Sequence, residues 1–224
     1  MGYTHQDIVD DYEYLTSSEI LLLSIVNCGP AKATRIQKLG LFIERILNVD
    51  PEIAHGSYNY GAYSDELDEA VSSMKGDGAI RQTQDGYELT QYGSDLLAES
   101  KNDPKNKDLV QEIPSIVSFL DSLSDQQLLK LSYILYPDTT DKSLIKGRMN
   151  LNKDIYSIGN ITVSTGLSRE QLKFKILEHI DSLDQVIDLL EEGRSVVVSS
   201  DGKSGMLLTL QSGRYILAKK SKGE

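Results

Sequence analysis
The chain has 224 residues, with 23 Lys+Arg against 34 Asp+Glu, a net charge of −11, and 39% hydrophobic residues. It lacks the run of about 18 apolar residues that a membrane-spanning helix needs, and no basic stretch leading into an apolar one suggests a secretory signal. A single cysteine, Cys28, excludes an internal disulfide framework, so the composition points to a folded, soluble protein of the cytoplasm.

The charge is uneven. Residues 1–29 hold five acids and no Lys or Arg. Residues 30–48 reverse this with Lys32, Arg35, Lys38 and Arg45 against Glu44, whereas residues 49–103 carry twelve acids and three bases. The last 31 residues are basic again. A nucleic-acid binder shows a concentrated basic face, and the candidates are the 32–45 stretch and the C-terminal tail; both also fit solvated surfaces that keep the protein soluble.

In chain order, Thr16-Ser17-Ser18-Glu19 reads as a capping box. The apolar run from Ile20 to Val26 then predicts a short buried helix ending near Cys28-Gly29, with Cys28 buried. Pro30 suits the first turn of a second helix, whose core face is Ile36, Leu39, Phe42, Ile43, Ile46 and Leu47 at helical spacing, stopped by Asp50-Pro51. Residues 52–63 read as irregular and tyrosine-rich. Ser64 caps a third helix over 65–75, with Leu67, Val71 and Met74 inward.

Residues 79–84 and 87–89 then read as strands, with Asp85-Gly86 as a two-residue turn. Thr90 caps a helix over 91–100. Three helices, a hairpin and a helix are the order of a winged helix domain, assigned to residues 1–103.

Residues 100–112 read as a polar linker, and Pro114 as the opening of a further helix. Ser124 caps the next, which stops at Tyr136-Pro137, so residues 104–144 form a helical middle region. Residues 138–167 carry no clear element. Ser168 and Ser182 begin two more capping boxes, for helices near 169–180 and 183–192. Three strands follow, at 194–200, 205–211 and 214–220, joined by Asp201-Gly202 and Ser212-Gly213. The expected class is α+β, mainly α: a winged helix domain, the helical middle region, and C-terminal helices with a three-stranded antiparallel meander over 145–224.

Several segments carry a resemblance: Thr34-Arg35-Ile36-Gln37-Lys38-Leu39, then Tyr60-Gly61-Ala62-Tyr63-Ser64 before an acidic helix, then Tyr87-Glu88-Leu89-Thr90 and Gly93. Over residues 16–100 they resemble the YwgA-like family, which is similar to the Panacea (SocA-like) antitoxin domain; Tyr136-Pro137-Asp138-Thr139 weakly extends the likeness. The family pattern has proline where Ala62 stands, so the resemblance implies a less rigid loop here. It implies a regulatory or partner-binding module without catalysis.

A winged helix that reads DNA sends the helix before the wing into the major groove, with cationic or amide side chains toward bases and phosphates. Here that helix opens with Asp65, Glu66, Asp68 and Glu69. Acids in a first turn complement the helix dipole, yet they oppose a polyanion whose binding rests on replacing counterions with Lys or Arg. The wing carries only Arg81. Lys32, Arg35 and Lys38 are read as one helix face, which serves as a solvated surface, a phosphate grip or a protein contact.

No catalytic or metal motif emerges. His5, His55 and His179 are scattered, Gly202-Lys203-Ser204 lacks the glycine a phosphate loop needs at Val197, and adjacent acid pairs point to different sides of a helix. No cofactor is expected. Tyr58, Tyr60 and Tyr63 either pack their loop or contact a partner, since tyrosine is enriched in interfaces.

The first expectation is therefore a non-enzymatic regulatory module that binds a protein partner of unknown identity. Tyr58, Tyr60, Tyr63, Asp65, Asp68 and Glu69 would form its contact surface, and pairing of the apolar C-terminal strands, with a second copy or with the body of the chain, would complete it. The alternative is a transcription regulator contacting phosphates through Lys32, Arg35, Lys38 and Arg81; an enzyme with a dispersed site is the third.

Overall fold
The first helix, which is not among the expected elements, begins at a capping box, Thr4 with Asp7, and runs over His5–Tyr12 (α1). The computed structural model describes residues 3–49, 53–176, 183–199 and 204–221. Its chain divides into two compact units: residues 1–44, 49–56 and 62–117, and residues 45–48, 57–61 and 118–224.

In the first unit, Thr16 and Glu19 cap α2 (Ser17–Asn27) reciprocally, and residues 18–26 of that helix are all buried. A helix that is apolar on every side needs neighbours on every side. It receives them from α4 (Asp65–Gly76), α5 (Gln91–Asn102) and the hairpin of β3 (Ile80–Gln82) and β4 (Tyr87–Leu89). Cys28, expected to be buried, is exposed, because the chain leaves the core after Val26. Between α2 and α4 come α3 (Ala33–Leu47) and a short two-stranded sheet, β1 (Gly56–Tyr58) with β2 (Gly61–Tyr63), in the stretch expected to be irregular. The expected stop at Asp50-Pro51 lies outside the described residues.

The β3–β4 register pairs Ile80 with Leu89, Arg81 with Glu88 and Gln82 with Tyr87. Thr83 donates its N–H to the Gly86 carbonyl at 2.7 Å, so Gln84-Asp85 forms the turn rather than Asp85-Gly86. Gly86 serves a different need. Its φ is +134°, and a Cβ there would lie 2.3 Å from the Ala31 carbonyl carbon. Beside it, Tyr87 and Ala31 exchange backbone hydrogen bonds of 2.8 and 3.1 Å, so the hairpin docks on the chain just ahead of α3.

The expected linker at 100–112 is helical. After α5 the chain starts α6 (Pro104–Leu120) within two residues. Pro104 sits at the first helical position, where a missing N–H costs nothing, and Asp103 accepts the Lys105 N–H at 2.8 Å. Pro114, expected to open a helix, lies inside α6. Tyr12 donates to Asp103 at 2.6 Å and Tyr92 to Asp11 at 2.7 Å, tying α1 to α5 and its end.

The second unit is built on one antiparallel sheet. Its strands are β5 (Ile155–Ile158), β6 (Ile161–Leu167), β7 (Val196–Ser199), β8 (Gly205–Gln211) and β9 (Arg214–Lys220), in the order β5-β6-β9-β8-β7. Three strands were expected; β5 and β6 add two from a stretch read as featureless. β9 pairs with β6 on one side and β8 on the other, so that edge of the C-terminal strands is closed within the chain. Ser212 and Gly213 both have positive φ, +47° and +73°, as the two-residue turn requires. The expected Asp201-Gly202 turn and the Ser182 cap lie outside the described residues.

One face of the sheet carries α8 (Arg169–Ile176) and α9 (Leu183–Glu191), packed through Leu172, Ile176, Val186 and Leu190 on Met206, Leu208, Tyr215 and Leu217. Leu207, Ile216 and Ala218 alternate to the other face and are also buried. There the end of α6 and α7 (Asp125–Leu135) approach: Lys220 donates to the Ser118 carbonyl at 2.8 Å, and Gln211 to the Leu135 carbonyl at 3.3 Å. Among the described residues, no helix is long and apolar enough to cross a membrane.

Candidate functional site
The tyrosine-rich segment forms a braced tip on the second unit. Leu144 donates its N–H to the Asn59 carbonyl at 2.9 Å, and Lys142 donates to Ser57 Oγ at 2.8 Å. Gly61 has a φ of +93°, and a Cβ at that position would stand 2.6 Å from Cε1 of the buried Tyr133. The Tyr133 hydroxyl in turn meets Ser143 Oγ at 2.7 Å. Turn and loop therefore fix each other across more than eighty residues of sequence. The braced tip holds large side chains at the surface: Tyr58 is 55% exposed, Tyr60 65% and Leu144 68%. Leu144 had no signal in the sequence, since its place beside the tip is a tertiary contact.

This bracing gives a prediction. Gly61→Ala combines a strained backbone with overlap onto Tyr133, and is expected to cost about 2 kcal/mol. Urea unfolding measures it, and an unchanged midpoint would contradict the bracing.

In the first unit, two successive residues of α3 hold the segment that leads into α4. Gln37 donates to the Ser64 carbonyl at 3.0 Å and accepts the Ser64 N–H at 2.9 Å. Lys38 donates to the Ala62 carbonyl at 2.7 Å. The loop expected to be less rigid for want of proline is thus pinned by side chains. Ser64 then caps α4 through the Leu67 N–H. Asp65, Glu66, Asp68 and Glu69 are exposed, and Tyr63 is half-buried.

The expected basic face does not assemble as read. Lys32 is exposed and precedes α3, while Arg35 is half-buried on its first turn. Lys38 is only 4% exposed. Six residues of helix turn about 600°, which carries Lys38 roughly 240° round from Lys32 and into the interior. Burial pushes its ammonium down to about 8. Arg81 stands across β3–β4 from Glu88, its Nε 2.6 Å from the carboxylate.

His55, one of the scattered histidines, is fully buried. Its ring Nδ1 lies 2.7 Å from Glu44 Oε2, and the same oxygen accepts the His55 N–H at 2.9 Å. Its Nε2 packs against Gly40 with no hydrogen-bond partner. The arrangement fits a packing role. Among the described residues no group of three or more His, Cys, Asp or Glu is placed to hold a metal ion. No family model matches the chain, and no curated protein and no solved structure matches it.

Proposed function
We propose that this chain is a non-enzymatic regulatory module of the cytoplasm, with a first unit of winged helix type, that acts by binding another protein. The observation that carries the reading is the braced tip, where Tyr58, Tyr60 and Leu144 stay exposed although three contacts fix the loop. Tyrosines held in place offer contact area with little entropy left to lose. The winged helix assignment is supported by the succession α2, α3, α4, β3, β4, α5, interrupted only by the short β1–β2 pair before α4, and by the Ala31–Tyr87 bridge.

Protein is favoured over DNA because α4, which precedes the hairpin, displays four exposed carboxylates. Of the four cations considered, Lys38 is buried and Arg81 is engaged by Glu88. Asp65, Asp68 and Glu69 are offered as a second contact surface, on the first unit.

The test is quantitative co-purification from the native cell. The variant Tyr58→Ser/Tyr60→Ser/Leu144→Ser is expected to keep its circular dichroism and lose a stoichiometric partner about tenfold or more, as is Asp68→Lys/Glu69→Lys. Retention of the same partner by both variants would overturn the reading. So would tight duplex-DNA binding that weakens steeply with salt and vanishes in Lys32→Glu/Arg35→Glu.

A further inference from the structure
Beside α7 the second unit holds an open groove of about 600 Å³, within the size range of ligand sites. Its apolar lining is Leu129 from α7 and Ile145 and Met149 from the following loop. Lys130 and Arg148 also line it, and no Asp or Glu does, in a chain where acids outnumber bases 34 to 23. Lys130 rests over the Tyr156 ring at 5.8 Å. Neither cation makes an ion pair among the described residues, whereas the nearby Lys146 is bound to Asp141 at 3.3 Å. The groove thus combines cationic and apolar lining residues on an anionic protein.

We propose that this groove docks an acidic peptide segment of a partner protein, with an apolar side chain as its anchor. The charges select the sign of the segment. Leu129, Ile145 and Met149 take the anchor, Met149 adapting its shape to it. Gln126 and Asn150, also in the lining, offer amides to an extended backbone. A single-stranded nucleic acid is disfavoured, because the lining contains no aromatic ring on which bases would stack. The proposal names a partner chemistry for the module described above and rests on that reading, but it uses a surface other than Tyr58, Tyr60 and Leu144.

The experiment is selection of a randomised phage-displayed peptide library on the full chain, followed by fluorescence anisotropy of the enriched peptides. The expected peptides carry Asp or Glu beside Leu, Ile or Met. They bind the Tyr58→Ser/Tyr60→Ser/Leu144→Ser variant as well as the parent, and lose about tenfold or more, at least 1.4 kcal/mol, on Lys130→Glu/Arg148→Glu. Lys130→Gln/Arg148→Gln is expected to weaken them by a smaller factor, with thermal melting confirming that both variants fold. Neutral or basic winners, no winners, equal binding to the charge-reversed variant, or displacement only by RNA would overturn the groove. Loss in the tyrosine variant alone would overturn it and leave the tyrosine surface standing.

Discussion

Gly93→Ala is expected to destabilise the first unit by about 3–4 kcal/mol, lowering its melting temperature by about 10 °C. Alanine for glycine inside a helix ordinarily gains up to about 1 kcal/mol, so the sign is the test. Gly93 is the third residue of α5, and its N–H is held by the Thr90 cap at 3.2 Å. A Cβ there would stand 2.1 Å from the Ala79 carbonyl oxygen.

That carbonyl cannot yield. It accepts the Thr90 N–H at 3.0 Å and the Thr90 hydroxyl at 3.1 Å, while the Ala79 N–H is bound to Met74 at 2.9 Å. Gly76, at the end of α4, has open space where a Cβ would go. Gly76→Ala is therefore the control, expected within about 1 kcal/mol of the parent. Thermal unfolding of both variants decides the matter; a Gly93→Ala protein as stable as the parent would show that α5 does not abut Ala79 this closely.

Lys38→Met is expected to change how stability depends on pH. The buried ammonium titrates near 8 when folded, against an ordinary 10.5. Below about 8 the lysine is charged in both states, and the folded state bears the cost of burying that charge. Between about 8 and 10.5 the unfolded chain keeps the proton and the folded one releases it, so stability rises with pH across this window. The full rise is on the order of 3 kcal/mol.

The variant lacks this rise. The stability difference, parent minus variant, is expected to be flat below pH 8 and to move in the parent's favour above it. Tyr12, Tyr92, Tyr133 and Tyr215 are raised, chiefly by burial. They reduce stability at still higher pH in both proteins alike, and so cancel in the difference. Urea unfolding of parent and variant at pH values on both sides of 8 gives the curve, and a difference that stays flat throughout would show that Lys38 is not buried as a cation.

Helix starts were legible because their chemistry is local. Thr16, Ser64, Thr90, Ser124 and Ser168 each find their capping partner three residues away, and β8 and β9 announce themselves by continuous apolar runs around Ser212-Gly213. Three further signals are legible in the sequence: the Thr4–Asp7 capping box of α1, Gly159-Asn160 between alternating residues, which marks β5–β6, and Pro104 as a helix-opening proline rather than a linker residue.

Sequence alone thus determined the capped helices, the Ser212-Gly213 hairpin, the acidic first turn of α4 and the sign of the net charge, because each depends on residues within a few positions of one another. Only the tertiary structure decided that Lys38 is buried, that Leu144 stands beside Tyr58 and Tyr60, and that Lys130 and Arg148 share a groove without acids. Those facts depend on which distant segments meet, and burial, which sets the energy of a charge and the exposure of a ring, is a property of that meeting and not of spacing along the chain.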